Sequence, residues 1–121
     1  MSKKSSYMSH SAGHGSDEEQ EQLKFRVSEA YKTVRTNLLF SVLKEGCKRI
    51  VFSSSLPGEG KSTVSVNTAI SLAQANSRVL LIDCDLRRPT VHRFFNLTVE
   101  PGLTNLLGGI SAPEAVLQST K

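Results

Sequence analysis

Apolar residues fall along the chain in patterns that predict two helices and two strands. Val27, Tyr31, Val34, Leu38 and Val42 recur at spacings of four, three, four and four, one apolar stripe on a helix. Arg49-Ile50-Val51-Phe52 is a short apolar run that ends at the turn-rich segment Ser53–Thr63 (SSSLPGEGKST), and it predicts a strand stopping at a loop. From Ser62 onward, STVSVNTAISLAQAN has the small and apolar residues of a helix packed on a sheet. Arg78-Val79-Leu80-Leu81-Ile82-Asp83 is a continuous apolar run, the pattern of a strand buried on both faces as in parallel sheets. Strand, loop, helix and strand in this order make a βαβ unit. A short helix is expected between Pro113 and Gln118.

The chemistry lies at the two strand ends. PGEGKST resembles a phosphate-binding loop: Gly58 and Gly60 let the backbone turn tightly, so that N–H groups and the helix N-terminus point at an anion. Pro57, Gly58, Glu59, Gly60, Lys61, Ser62 and Thr63 are therefore the candidate nucleotide-binding residues. In that motif Lys61 reaches the β- and γ-phosphates and the Ser62 hydroxyl ligates Mg²⁺. The strict pattern G-x-x-x-x-G-K-[ST] has glycine where this chain has Ser55. Asp83 and Asp85 end the second apolar run, where open α/β sheets bind ligands, and alternation in an extended chain would turn both carboxylates toward one metal–phosphate group. Cys84 between them is expected to turn away and pack. A surface turn and a solvated acidic strand end are the plain alternatives.

Together PGEGKST and VLLIDCDLRRP resemble the bacterial tyrosine kinases of capsule and exopolysaccharide synthesis, with EAYKTVRTNLLFS before the loop and GLTNLLGG after it. The resemblance runs from about Ser28 to the C-terminus. It implies an α/β fold, the three-layer P-loop sandwich with a parallel sheet, preceded by an N-terminal helix. It also implies MgATP as phosphate donor, protein tyrosines as acceptors, and Lys61, Asp83, Asp85 and Arg87 as the catalytic set, with Ser62, Asp83 and Asp85 around Mg²⁺. Asp83, Asp85 and Arg87 match the family's D-x-D-x-R pattern. Glu29, Lys32 and Arg35 match its E-x-x-R-x-x-R helix except that lysine replaces the middle arginine, and an ammonium does not reproduce a bidentate guanidinium. That helix implies a homo-oligomer; without the resemblance, the three charges read as a solvated face. A membrane-anchored activator with a cytoplasmic segment is the implied partner, placing the protein in the cytoplasm at the inner face of the plasma membrane.

Partitioning and cell-division-positioning ATPases share this loop class and the D-x-D strand, and they stay open as a second reading. They carry an extra lysine early in the loop, where this chain has Leu56 and Pro57. A third reading is a non-catalytic fragment that binds nucleotide or oligomerises. It follows from length, because the 121 residues lack the further strands, the Walker B acid and the tyrosine cluster of the resembled family. The expected organisation is a disordered arm over 1–24, rich in Ser, Gly, His and charge, and a partial kinase domain over 25–121. His10 and His14 in that arm read as unliganded.

Charge changes little. The net charge of +4 falls wholly on residues 29–121, partly in Lys61, Arg87 and Arg88, and no basic run with interleaved aromatics points to nucleic acid. Cys47 and Cys84 lack C-x-x-C spacing, and no apolar N-terminal segment resembles a signal peptide or membrane span.

Overall fold

A computed structural model describes residues 14–41 and 45–120, which divide into two units, one on each side of residues 42–44. The first unit is a single helix, α1, His14–Ser41. Its early turns, DEEQEQ, are good helix formers with Asp17 at the positive end of the helix dipole. The arm expected over 1–24 thus lies outside the described residues as far as residue 13, and residues 14–24 are helical. Of the apolar stripe, Val27 and Val34 are exposed, Tyr31 and Leu38 are half-buried, and Val42 lies outside the described residues. The stripe is present as a face of the helix and is at most half-buried.

The second unit is organised by α2, Lys61–Gln74. Three short helices follow: α3 over Val91–Phe94, α4 over Leu103–Leu107 and α5 over Pro113–Val116. Helix α2 contacts α3, and α4 contacts α5. The buried face of α2 is small and largely polar, with Ser65, Val66, Thr68 and Ser71; Val66 is 2% exposed and Thr68 1%. Burying hydroxyls is costly unless they are hydrogen-bonded. Here the helix satisfies its own: Thr68 Oγ1 donates to the Val64 carbonyl at 2.7 Å and Ser65 Oγ to the Ser62 carbonyl at 3.0 Å. Among the described residues no buried side-chain polar atom lacks a partner.

Helix α2 ends two residues before the expected Asn76. Asn76 adopts φ 61°, and the Ser77 N–H turns back to the Leu72 carbonyl at 3.2 Å, a left-handed cap suited to Asn. Helix α5 stops at Val116 rather than reaching Gln118. The Gln118 side chain is engaged elsewhere, donating from Nε2 to the Thr98 carbonyl at 2.9 Å. Gly102 precedes α4 because a Cβ there would lie 2.9 Å from the Val99 carbonyl oxygen.

Neither apolar run forms a strand among the described residues. Val51 is 89% exposed, Leu80 64% and Ile82 53%, so the reading of residues 78–83 as a strand covered on both faces is not met here. The cause is general: a strand exists only through hydrogen bonds to a neighbouring strand, and these two segments do not pair with each other. Cys84 is exposed rather than packed, as is Cys47. No helix among the described residues is long and apolar enough to cross a membrane.

Candidate functional site: the glycine loop and the acidic segment

The loop between Phe52 and α2 turns on its glycines. Gly58 has φ 80° and Gly60, at the N-cap of α2, has φ 85°; a Cβ at either would meet nothing within 4 Å. Backbone conformation, and not space, therefore selects glycine at both positions. No side chain caps α2, and its first backbone bond runs from the Val64 N–H to the Gly60 carbonyl at 2.9 Å. The N–H groups of Lys61, Ser62 and Thr63 thus come before any intrahelical partner, as at every helix start. Lys61 is exposed at the first helical position, Thr63 is exposed, and Ser62 is half-buried.

A Cβ at residue 60 would force an L side chain into the left-handed region, at about 1–2 kcal/mol. Gly60→Ala is therefore expected to lower the thermal midpoint by several degrees. Circular dichroism melting of both proteins checks this, and an unchanged midpoint would mean that the loop relaxes without cost.

The acidic segment is held by its own backbone. Asp83 is half-buried, and its Oδ2 accepts the N–H groups of Thr90 at 2.9 Å and Val91 at 3.1 Å, while Oδ1 accepts the Asp85 N–H at 3.0 Å. Asp85 Oδ1 in turn accepts the Arg88 N–H at 3.0 Å. These bonds bend residues 83–91 into a compact loop in which Asp83 gathers the start of α3. Residues 83–85 are in no strand; the Asp85 N–H closes onto Asp83 Oδ1, and the chain bends over 86–88. Arg87 and Arg88 are exposed in the bend over 86–88.

A hydrogen bond joins the glycine loop's helix to the acidic segment. Thr90 Oγ1 donates to Ser62 Oγ at 3.1 Å, across 28 residues of sequence. Ser62 at the start of α2 is thereby linked through Thr90 to Asp83, and through Asp83 to Asp85. Lys61 immediately precedes Ser62, Arg87 follows Asp85 by two residues, and both are exposed. The oxygen-only donors Ser62, Asp83 and Asp85 have the chemistry that a hard divalent cation requires. Asp83 already accepts backbone donors on both oxygens, so it suits a cation through an intervening water, as Mg²⁺ commonly retains. The Asp85 Oδ1 has one such donor.

Thr90 was not legible as a site residue. Its sequence signal is a hydroxyl residue after Pro89 and before Val91-His92-Arg93-Phe94, the pattern of a helix start. Glu29, Lys32 and Arg35 lie in α1, where Lys32 Nζ pairs with Glu29 Oε1 at 2.5 Å; both side chains are about half exposed. An exposed pair of this kind contributes about 0.5 kcal/mol or less.

Comparison with known proteins places these features. Residues 48–108, half of the chain, match the family model described as ATPase MipZ. The tyrosine-protein kinase YwqD of Bacillus subtilis is 45% identical over 93 residues, covering 77% of this chain and 39% of that protein. The tyrosine-protein kinase ptk of Acinetobacter johnsonii is 42% identical over 93 residues, 77% of this chain and 13% of the relative. The tyrosine-protein kinase etk of Escherichia coli K12 is 34% identical over 90 residues, 74% of this chain and 12% of the relative. The chain thus spans two fifths or less of the length of these relatives. No solved structure matches. The loop, the D-x-D segment and these matches together make the chain a member of the MipZ family of P-loop ATPases and a homologue of the bacterial tyrosine-protein kinases.

Proposed function

We propose that this chain binds MgATP and forms the nucleotide-binding part of a protein-tyrosine kinase that regulates capsule or exopolysaccharide synthesis. The observation that carries the reading is the Ser62–Thr90–Asp83 link, which brings a phosphate-loop hydroxyl and a D-x-D carboxylate into one hydrogen-bonded chain. In this reading the N–H groups from Gly58 to Thr63 and the start of α2 hold the β- and γ-phosphates. Lys61 neutralises charge on the transferring group, and Arg87 adds a second cation. Ser62, Asp83 and Asp85 would hold Mg²⁺, which when bound would screen the phosphate charge. Asp83 and Asp85 also orient the acceptor hydroxyl and take up its proton. The fold is the three-layer P-loop sandwich, with residues 49–52 and 78–83 as strands once neighbouring strands pair with them. The same reading gives residues 25–121 as the kinase part. Glu29, Lys32 and Arg35 form a contact between copies, and a membrane-anchored activator holds the protein at the inner face of the plasma membrane.

The match to the ATPase MipZ model favours a second reading, an ATPase that transfers phosphate only to water. The two are separated in a chimera of the Bacillus subtilis relative whose matched 93 residues are replaced by those of this chain. Incubation with labelled MgATP is expected to give phosphotyrosine that disappears in Lys61→Ala. A folded, ATP-binding chimera that releases phosphate but labels no tyrosine would establish the ATPase reading instead.

A further inference from the structure

We infer that Glu59 is a positioning residue of the nucleotide loop: its carboxylate braces the loop's first half by accepting the backbone N–H groups of Ser55 and Leu56. The distances are 3.0 Å and 3.2 Å, and both bonds end on the same oxygen, Oε2. The inference rests on the nucleotide-binding reading above and assigns Glu59 a role that the loop motif leaves open, since the motif accepts any residue there.

Three features make the brace necessary. First, the motif's leading glycine is Ser55 in this chain, and Ser55 is not among the residues with positive φ, so the loop does not turn there by a left-handed backbone. Second, Pro57 has no N–H to donate, so the loop's first half has few backbone donors with which to fix itself. Third, Gly58 at φ 80° reverses the chain between Leu56 and Glu59, which brings the side chain of residue 59 back over residues 55 and 56. The loop closes on itself through a side chain where a strict motif relies on glycine.

The division of donors follows. Glu59 takes the N–H groups of Ser55 and Leu56, leaving those from Gly58 to Thr63 to face an anion. A carboxylate beside a phosphate site would by charge alone weaken nucleotide binding. Its retention in a bond to the loop's own backbone makes geometry the larger effect. A neutral acceptor of the same length should therefore serve as well as the carboxylate, and a side chain without an acceptor should not.

The test compares Glu59→Gln and Glu59→Ala in the chain as it stands, using a fluorescent ATP analogue with Mg²⁺. Glu59→Gln keeps one oxygen that accepts both donors and loses the charge, so it is expected to bind within about twofold of the parent, or more tightly. Glu59→Ala is expected to bind about 5- to 20-fold more weakly, the loss of two charge-assisted bonds that order the loop. Amide exchange read by NMR supplies a measure independent of ligand: the Ser55 and Leu56 N–H groups should exchange faster in Glu59→Ala and unchanged in Glu59→Gln. If Ala binds as well as the parent, or if Gln and Ala behave alike in both measurements, the brace is overturned. Lys61→Ala measured alongside keeps the two readings apart. Loss of binding there with none in Glu59→Ala removes the brace alone, while full binding in Lys61→Ala removes the nucleotide site itself.

Discussion

Lys61→Ala should bind a fluorescent ATP analogue about 10- to 100-fold more weakly than the parent chain, the loss of one charged hydrogen-bonding partner to phosphate. Lys61 stands at the first position of α2, beside the uncapped N–H groups of the helix start and after the left-handed Gly60. A cation there adds to the partial positive charge of the helix end, and both act on the same anion. Lys48→Ala, an exposed lysine before the first apolar run, is the control for general loss of positive charge and should stay within about twofold. Fluorescence titration at fixed ionic strength measures both. Equal affinities for Lys61→Ala and the parent chain would remove the P-loop reading, whatever the resemblance in sequence.

The loop and α2 were legible in the sequence because their determinants are local. Gly58 and Gly60 both take the positive φ that only glycine adopts without strain, and the run from Ser62 is helical nearly to the residue expected. The strands were not, because a strand is a relation between segments: residues 49–52 and 78–83 have the right residues, and among the described residues neither has a partner to complete it. The expectation of an extended course at Asp83 and Asp85 depends on the same pairing. Reading them as extended assumed a sheet to hold the chain straight, and without one the carboxylates fold onto nearby N–H groups. The apolar spacing over α1 specifies a helix face, while burial of that face depends on a neighbour that periodicity does not identify. Thr90 was invisible because nothing in Pro89-Thr90-Val91 says that its hydroxyl meets a serine 28 residues earlier. Side chains that act through such long-range bonds are recognised in space before they can be recognised in sequence.

Asp83 and Asp85 are expected to differ under the same substitution, though the D-x-D pattern presents them as equals. Asp83 accepts three backbone N–H groups with its two oxygens, so Asp83→Asn must turn an amide donor toward at least one donor it now accepts. Leaving such a group unmatched costs about 1–3 kcal/mol, and the half-buried position gives water only partial access to relieve it. The thermal midpoint should fall by roughly 5 °C or more for a unit of this size. With Thr90 released, Ser62 loses its bond as well, so binding of ATP should weaken with and without Mg²⁺. Asp85 accepts a single N–H on Oδ1, which an asparagine carbonyl reproduces. Asp85→Asn should therefore keep the midpoint within about 2 °C and remove only charge, weakening MgATP binding while leaving metal-free ATP binding equal or tighter. Calorimetric titration with and without Mg²⁺, paired with melting curves for each variant, measures all four quantities. A metal-specific loss in Asp83→Asn with an unchanged midpoint would make that carboxylate a direct ligand rather than the organiser of the loop.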